Sequence, residues 1–560
     1  MKKLSFLAPF IAGVFIAVSS CAQKNTEENL ILNQQQKEMS LKKAAQQKWV
    51  DSVYNSLSQR ERIGQLFMVA AYSGGKNKNS ELIDRLIENR QIGGVIFMQG
   101  TAAEQAVLTN RFQKKAQVPL LIGMDAEWGL GMRLTGIKNL PKQMTLGATN
   151  NPKLSYELGK IVAEQCKRLG VHIDFAPVVD VNNNPLNPII NFRSFGDDRD
   201  LVTRMGIGYM KGLQENGVMA SAKHFPGHGD VSVDSHEDMP VINKSKEELM
   251  NMELYPFSKL IKEGVQSVLV AHLHVPVIDN TPHASSTISR KIISDLLKKE
   301  MGFNGLVFTD ALNMSGLTKY YPNGETDLRA FLAGNDVLLF SQDVPLAIQK
   351  IEKAIQSNKE REKDLENSVK KILAAKYDAG LNDFKEVVVE NIDEDINQFT
   401  NDFIEKVAKN AVTLIDDKEG LLEKTKDANA SLSYLSINNK GVDYFAQELK
   451  KSFKNVKAVH SAANSSDLLV VGIHSYATYP GKSKLYGLST ADIQLIKKLS
   501  KRKNTIFVVM GNAYLAQYLC DAGTTIVTYE NNEIFERSAA QVISHQLKAK
   551  GKLPVHPCQK

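Results

Sequence analysis

The sequence of 560 residues is poor in cysteine and tryptophan and has no strong excess of charge of either sign. It contains four cysteines and two tryptophans, and 69 Lys and Arg residues stand against 62 Asp and Glu. A net charge of +7, spread along the chain, argues against a nucleic-acid-binding protein. The cysteines, at positions 21, 166, 520 and 558, have no metal-ligand spacing and predict no disulfide framework. Cys166 and Cys520 lie in apolar helical contexts and are expected to be core thiols, and no role is expected for Cys558.

Long apolar runs are missing after the first twenty residues, so no membrane-spanning helix is predicted in the body of the protein. The N-terminus has Lys2 and Lys3, an apolar stretch from Leu4 to Val18, and then Ser19-Ser20-Cys21. This order is typical of a secretory signal peptide over residues 1–20. The cysteine after two small residues resembles a bacterial lipobox, which implies cleavage before Cys21, attachment of lipid to it, and anchoring in the cell envelope at the outer membrane or the periplasmic face. The alternative is a plain secretory signal with an incidental cysteine.

Residues 21–47 are polar and rich in Gln, Lys, Glu and Asn, which indicates a solvated tether or a surface helix. From about residue 48 to residue 379, short apolar runs alternate with longer amphipathic segments. The predicted strands are Leu66–Ala71, Gly94–Met98, Leu120–Met124, His172–Ala176, Met219–Lys223, Ser267–Ala271, Leu306–Thr309 and Val337–Phe340. Helices are predicted over Lys153–Leu169, Leu201–Asn216, Glu247–Glu263 and Lys291–Met301. Eight strand–helix units predict a closed (β/α)8 barrel of the TIM type.

A polar residue follows five of these predicted strands. They are Asp125, Asp180, His224, His272 and Asp310. In such barrels the chemistry lies at the carboxyl ends of the strands, so we expect the five side chains to share one rim. Any one of them alone is also explained as a turn former or helix cap.

The alternation of predicted strands and helices changes after Tyr377. Residues 380–402 are charged and poorly periodic, which predicts a linker. A second α/β domain, a smaller sandwich with a mainly parallel sheet, is predicted over residues 403–560. Its predicted strands are Val412–Ile415, Leu432–Ser436, Leu468–Ile473, Ile506–Met510 and Thr525–Tyr529, with helices over Thr490–Leu499 and Glu533–Leu547. This domain carries no catalytic motif, and His474 is interpreted as a buried or capping histidine.

Three segments of the first domain form an ordered signature. The first is Lys223-His224-Phe225-Pro226-Gly227-His228-Gly229-Asp230-Val231-Ser232-Val233-Asp234-Ser235-His236. The others are Ile190-Asn191-Phe192-Arg193-Ser194-Phe195-Gly196 and Asn304-Gly305-Leu306-Val307-Phe308-Thr309-Asp310-Ala311-Leu312-Asn313-Met314. Together they resemble the family 3 glycoside hydrolases, and within them the bacterial β-N-acetylglucosaminidases that act on peptidoglycan fragments. The resemblance is strong over about residues 55–375.

The resemblance implies a role for each matching residue. Asp310 corresponds to the carboxylate nucleophile that forms a covalent glycosyl-enzyme. Asp234 and His236 correspond to an Asp-Ser-His dyad in which histidine is the general acid and base. The residues that correspond to the family's sugar-binding positions are Asp125, Arg193, Lys223 and His224.

The implied activity is that of a retaining exo-β-N-acetylglucosaminidase, which removes terminal β-linked N-acetylglucosamine from peptidoglycan-derived or related glycans. Retaining hydrolysis needs one group at the anomeric carbon and a second that protonates the leaving oxygen and later deprotonates water. An imidazole with an ordinary pKa of ~6.5 serves both half-reactions. Asp234 is placed to accept a hydrogen bond from His236, and Gly227 and Gly229 give the loop bends that predict a mobile lid. No cofactor, metal or nucleic-acid partner is implied; the expected partners are oligosaccharides or muropeptides containing N-acetylglucosamine, and a membrane through the lipid anchor.

Several alternatives stay open from the sequence. A zinc site from His224, His228, Asp230 and His236 is possible by ligand type, but Pro226 and Gly227 break the helix that its spacing requires. A β-glucosidase or β-xylosidase, a phosphorylase of the same family, and a carbohydrate-binding lipoprotein without turnover are the other candidates.

The family's Asp-x-Glu-Gly-Gly-Arg pattern is also altered in this chain. It reads Asp125-Ala126-Glu127-Trp128-Gly129, with the arginine displaced to Arg133. The role of Arg133 therefore stays open. Trp128 either stacks on a sugar or fills the barrel rim.

Overall fold

The computed structural model describes residue 34 and residues 36–232, 239–465, 468–476 and 485–558. Two sheets organise these residues, and most neighbouring strands in them pair parallel and are joined by helical crossovers. The first sheet forms a barrel, and the second lies between helices. The fold is therefore a (β/α)8 barrel followed by an α/β sandwich, as predicted.

The barrel is built from eight short, mostly buried parallel strands. The strands of the first sheet are β1 Phe67–Tyr72, β2 Gly94–Thr101, β3 Leu121–Met124, β4 Leu134–Thr135, β5 Ile173–Asp174, β6 Met219–Phe225, β7 Ser267–Val270, β8 Leu306–Thr309 and β9 Leu338–Leu339. Pairing runs β8-β7-β6-β5-β3-β2-β1-β9, and a bridge between Phe308 and Val337 joins the two ends. The short β4 pairs with β2 outside this ring. All eight predicted strands are present, with small changes at their ends.

Helices pack around the barrel and bury one apolar face each against it. They are α1 36–56, α2 Gln59–Gly64, α3 Ser80–Glu88, α4 Ala102–Lys115, α5 Gln143–Thr149, α6 Pro152–Arg168, α7 Arg199–Gln214, α8 Lys246–Asn251, α9 Leu254–Lys262, α10 Ser315–Thr318, α11 Glu325–Ala333, α12 Val344–Ser357 and α13 Glu360–Asp378. A π-helix spans Lys291–Glu300. The predicted helix Glu247–Glu263 is in fact two helices, because the backbone turns at Met252 and Glu253, where the Glu253 side chain is buried against the loop after β6.

The N-terminal part of the described chain is helical. Residues 36–45 of α1 are exposed, whereas Val50 and Tyr54 pack into the core. Gln46 donates to the backbone of Ala374, and Trp49 packs on Tyr377, both in α13. No helix in the described part of the chain combines the length and hydropathy needed to cross a bilayer. The predicted signal peptide and Cys21 lie outside the described residues.

Residues 380–402, predicted as a linker, lie against the barrel. They include α14 Ile392–Asn397, and α15 Thr400–Ala411 follows. Gln165 Nε2 in α6 donates to Ile396 O at 3.1 Å, and Arg168 Nε lies 2.8 Å from Asp395 Oδ2. In addition, α14 buries its apolar residues Ile392 and Ile396.

The second domain has a six-stranded sheet in the order β10-β15-β14-β13-β11-β12. Its strands are β10 Thr413–Asp417, β11 Ser431–Ile437, β12 Asn455–Ala458, β13 Leu468–His474, β14 Thr505–Met510 and β15 Thr524–Val527. Its helices are α16 Tyr444–Ser452, α17 Thr490–Leu499 and α18 Glu533–Ile543. Only β10 pairs antiparallel within the described sheet. The edge strand β12 was not predicted, because its one β-branched residue, Val456, gives no strand signal, and pairing with β11 holds the strand.

The expectation for the C-terminal cysteines was wrong. Cys520 and Cys558 form a disulfide with a Cα–Cα distance of 5.7 Å, and both residues are exposed. The C-terminal segment crosses to the barrel, where Lys552 N donates to Ala148 O at 2.8 Å, and then returns to Cys520. This path depends on tertiary contacts across 38 residues of sequence, so spacing alone did not indicate it. Cys166, in contrast, is a free buried thiol as predicted.

Candidate active site

The five polar residues predicted to share a rim lie at the carboxyl ends of parallel strands. Asp125 follows β3, Asp180 lies on the segment after β5, and His224 is near the end of β6. His272 and Asp310 come after β7 and β8. Because all these strands are parallel, the five residues belong to the same face of the barrel.

Lys223 joins two carboxylates at the centre of this face. Its Nζ atom lies 2.8 Å from Asp125 Oδ1 and 2.8 Å from Glu127 Oε1. The Lys223 side chain is only 3% exposed, and that of Glu127 is fully buried. Burial lowers the pKa of Lys223, but the two carboxylates outweigh it, and its pKa lies above the ordinary value. The lysine is therefore charged in a site that excludes most water.

Glu127 also holds Arg193. The guanidinium donates to it twice, from Nε to Oε2 at 3.0 Å and from Nη2 to Oε1 at 2.6 Å. This bidentate pair fixes the plane of the guanidinium. Burial raises the pKa of Glu127, but Arg193 and Lys223 together lower it to about 2. The sequence motif gave Glu127 no predicted role, although its spacing of two residues from Asp125 was an available signal.

Asp125 is the second carboxylate of the network. It contacts Lys223 through Oδ1 and Arg133 through Oδ2. Burial raises the pKa of Asp125, but these two cations hold it well below its ordinary value. The displaced arginine of the altered pattern therefore lies beside Asp125. Trp128 is 9% exposed and packs edge-on against Phe192, so it fills the rim and offers no open face to a sugar.

His224 lies between Arg193 and Asp180. Its Nδ1 atom is 2.7 Å from Asp180 Oδ2, and its Nε2 atom is 3.1 Å from Arg193 Nη2. A guanidinium can only donate, so Nε2 accepts. Nδ1 therefore carries the ring proton and donates a hydrogen bond to Asp180. Asp180 Oδ1 also accepts from the backbone of His228 at 2.7 Å. Asp180 was predicted on the rim without a role, and its contacts show that it orients His224.

Asp310 follows β8 and is partly exposed. Its backbone N–H donates to Val270 O at 2.9 Å, which fixes it to the neighbouring strand β7. His272 Nε2 lies 2.9 Å from Ala311 O, and its Nδ1 atom lies 2.7 Å from Thr287 Oγ1. His272 therefore supports the turn that carries Asp310.

His228, interpreted from sequence as a loop-shaping residue, is 2% exposed and lies edge-on to His224. Burial, with a smaller contribution from His224, lowers the pKa of His228 to about 4, while the Asp180 carboxylate and, more weakly, the Asp310 carboxylate act in the opposite sense. The ring is therefore neutral at pH 7 and lies within electrostatic reach of Asp310.

The loop after β6 is anchored at its base by two glycines. Gly227 has φ +126°, and a Cβ atom there would lie 2.6 Å from Glu253 Cβ. A Cβ atom at Gly229 would lie 1.7 Å from Val181 O. Only glycine fits both positions. The loop continues into residues 233–238, so Asp234 and His236, the predicted acid/base dyad, lie outside the described residues, and the lid stays a prediction.

No group of three or more His, Cys, Asp and Glu side chains with metal-binding geometry occurs among the described residues. His224 is instead engaged by Asp180 and Arg193. In the second domain His474 is fully buried, with Nδ1 3.1 Å from Asn531 Oδ1.

Comparison with known proteins agrees with this site. Residues 58–375, more than half of the chain, match the model of the glycosyl hydrolase family 3 N-terminal domain. The chain belongs to glycosyl hydrolase family 3. The network of Asp125, Lys223 and Arg193 and the partly exposed Asp310 all lie within the matched residues.

Relatives within this family include named enzymes. β-Hexosaminidase A of Pseudoalteromonas piscicida is 32% identical over 332 residues, covering 52% of this chain and 54% of that protein. A β-N-acetylglucosaminidase/β-glucosidase of Cellulomonas fimi is 28% identical over 406 residues, covering 70% of this chain and 71% of that protein. The alignment thus spans only about half the length of the first relative.

A solved structure covers both domains. The family 3 β-N-acetylglucosaminidase from a Paenibacillus species has a TM-score of 0.73 and 27% sequence identity, covering 90% of this chain and 99% of that chain. The barrel and the second sheet therefore occur together in a family 3 protein of similar extent. The chain is similar to β-N-acetylhexosaminidases in sequence and in fold.

Proposed function

We propose that this family 3 glycoside hydrolase is a retaining exo-β-N-acetylglucosaminidase. It removes terminal β-linked N-acetylglucosamine from peptidoglycan-derived or related glycans. The observation that carries the proposal is the shared barrel face, where Asp310 and the network of Asp125, Lys223, Glu127, Arg193 and His224 lie at the carboxyl ends of the strands. The names of the relatives support N-acetylglucosamine as the sugar.

In the first step, the Asp310 carboxylate attacks the anomeric carbon, and the glycosidic oxygen leaves with a proton from His236. In the second step, His236 takes a proton from water, which displaces Asp310 from the sugar. Asp234 keeps the imidazole in one tautomer. The charged residues on this face of the barrel hold the sugar hydroxyls, since Lys223 and Arg193 donate while Asp125 accepts.

The nucleophile is tested by trapping. A 5-fluoro N-acetylglucosaminyl fluoride should label the peptide that contains Asp310, as read by mass spectrometry. Asp310→Asn should remove both label and p-nitrophenol release from the aryl N-acetylglucosaminide, whereas Asp295→Asn, at an exposed residue of the π-helix, should retain both. Label on another peptide would overturn the assignment, and an unlabelled protein that binds N-acetylglucosamine without turnover would support a binding lipoprotein.

The acid/base dyad is tested by leaving-group dependence. His236→Ala should lose far more rate on a methyl N-acetylglucosaminide than on a dinitrophenyl one, because only the poor leaving group needs protonation. An equal loss on both would refute the role. Product analysis with and without phosphate distinguishes hydrolysis from phosphorolysis, and plain glucosides and xylosides test the other family activities.

The natural glycan is tested by direct competition. A muropeptide containing N-acetylglucosamine, a chitin oligomer and a glycoprotein glycan are compared at equal concentration. We expect the highest kcat/KM for the muropeptide. A preference for either of the others would replace the peptidoglycan assignment while leaving the sugar assignment intact.

We also propose that the protein is lipid-anchored in the cell envelope through Cys21. The basic and apolar N-terminus with Ser19-Ser20-Cys21 supports this. The Cys520–Cys558 disulfide gives independent support, because structural disulfides are typical of oxidising compartments. In a bacterial host, Cys21→Ser should abolish labelling by a radioactive fatty acid and move the protein from the membrane to the soluble fraction. Retained labelling would refute the anchor.

A further inference from the structure

The segment of residues 180–196, here called the Arg193 loop, forms hydrogen bonds with residues of the second domain. We propose that Asn512 and Tyr514 are positioning residues that fix this loop for sugar binding. The inference rests on the proposed sugar-binding role of Arg193 and His224. It assigns the second domain a part in the function of the barrel site.

The inner side of the Arg193 loop carries two residues of the site. Asp180 orients His224, and Arg193 contacts both Glu127 and His224. The position of the loop therefore sets the positions of the guanidinium and the imidazole. A shift of about 1 Å in such a site is enough to weaken binding and turnover strongly.

The same loop supports the base of the segment that leads to His236. Asn187 Nδ2 donates to His228 O at 2.7 Å and to Gly229 O at 3.0 Å. Asn184 Nδ2 donates to Asp230 O at 3.2 Å. The Arg193 loop thus also supports residues 228–230, the described start of the loop after β6.

The outer side of the loop contacts the second domain through two asparagines. Asn512 Nδ2 donates to Asn191 Oδ1 at 2.7 Å in a buried contact. Asn182 Nδ2 donates to the Tyr514 hydroxyl. Asn182 and Asn191 are themselves joined, because Asn191 N donates to Asn182 Oδ1 at 3.0 Å. Each asparagine therefore has one partner in the second domain. These partners, Asn512 and Tyr514, are two residues apart in sequence.

A parallel contact supports the other flank of Arg193. Glu530 of the second domain accepts from Lys142 Nζ at 2.6 Å and from Thr145 Oγ1 at 2.8 Å. Gln143, between them in sequence, donates from Nε2 to Arg193 O at 2.8 Å. Two separate points of the second domain therefore converge on the backbone next to Arg193.

The Arg193 loop is also held within the barrel domain, since Ser194 Oγ donates to Asp180 O at 2.6 Å and Asn183 Nδ2 donates to Glu253 Oε1 at 3.3 Å. Leu186, near its middle, is 75% exposed. Asp310 is fixed independently by strands β7 and β8, so loss of the interface contacts would move the sugar-binding residues more than the nucleophile. The expected signature is a higher KM with a smaller change in kcat.

Two variants remove the contacts with little other disturbance. Asn512 caps the short helix 513–518, since its Oδ1 accepts from Tyr514 N at 3.0 Å. Asn512→Ser keeps a capping oxygen but cannot reach Asn191. Tyr514→Phe removes only the hydroxyl. Matched controls are Asn532→Ser, at the N-cap of α18, and Tyr518→Phe, on the same short helix as Tyr514.

Each variant should raise KM for p-nitrophenyl N-acetylglucosaminide and Kd for N-acetylglucosamine about two- to tenfold, the effect of one lost hydrogen bond. The controls should match the wild type in both. Unchanged KM and Kd in both variants, or a loss of Tm and active fraction alone, would overturn the inference. A wild-type protein without turnover would refute the proposed activity instead, while the calorimetric Kd would still test the positioning role.

Discussion

The Nη2 atom of Arg193 lies 3.1 Å from Nε2 of His224, and this contact fixes the tautomer of the imidazole. Because Nε2 accepts, Nδ1 carries the ring proton and donates a hydrogen bond to Asp180. The ring therefore connects the Arg193 guanidinium, which is paired with Glu127, to the buried carboxylate of Asp180. A substitution at either end is expected to act on the proposed sugar-binding site as a whole.

Asp180→Asn should weaken sugar binding. The amide has one acceptor oxygen where the carboxylate receives the His224 ring and two backbone N–H groups, so at least one buried donor loses its partner. We expect KM to rise about 10- to 100-fold, corresponding to the cost of one or two such losses. Steady-state kinetics checks this. Asp198→Asn, at the N-cap of α7 where asparagine caps equally well, should leave KM unchanged.

Glu127→Gln should destabilise the protein at neutral pH. The Arg193 and Lys223 cations lower the pKa of Glu127 from its ordinary value of 4.5 to about 2, so the carboxylate contributes stability above pH 4.5 that is lost as pH falls toward 2. The shift corresponds to about 3 kcal/mol. Urea unfolding from pH 7 to pH 3 should show a wild-type advantage that shrinks below pH 4.5. Glu157→Gln, which breaks an exposed pair with Lys406, should change stability by less than about 0.5 kcal/mol at every pH.

Asp174→Asn should stabilise the protein relative to wild type as pH rises. Burial raises the pKa of Asp174 to about 7. The Tyr209 hydroxyl has one proton to donate, but it lies 3.1 Å from two acceptors, Ala126 O and Asp174 Oδ2. A protonated Asp174 donates to this hydroxyl, which then donates to Ala126 O. Because the folded pKa is raised, the wild type loses stability between about pH 4 and pH 7, whereas the amide donates at every pH.

The measurement for Asp174 is the difference in the free energy of unfolding between variant and wild type at pH 4, 5, 6 and 7. It should grow by about 1.4 kcal/mol per pH unit at most. A difference that stays constant over this range would show that Asp174 does not bind the extra proton in the folded state.

Removing the disulfide with Cys520→Ser and Cys558→Ser together should lower stability. The bond closes a span of 38 residues, for which loop-closure entropy gives about 4 kcal/mol as an upper figure. Reductant should lower the Tm of the wild type and leave that of the double variant unchanged. Cys166→Ala, at the free buried thiol, should retain the response to reductant.

The sequence indicated the barrel because each strand is a short apolar run that can be recognised from its own residues. Gly94–Met98 and Leu306–Thr309 are apolar runs followed by amphipathic helices, and the period of side-chain burial distinguishes the two. Two features had no local signal. The edge strand at Asn455–Ala458 depends on its neighbour, and the break at Met252 depends on where Glu253 packs.

For the site, the sequence by itself determined which residues lie at the carboxyl ends of the strands: Asp125 and Asp310 directly follow apolar runs, and His224 lies near the end of β6. Only the tertiary structure decided how these residues are paired. Glu127 joins Arg193 to Lys223 across about 70 to 100 residues of chain, and Asn512 reaches Asn191 across 321. Strand and helix formation is governed by near neighbours in sequence, whereas buried charges and amides take partners from whichever segments the fold brings within hydrogen-bond distance.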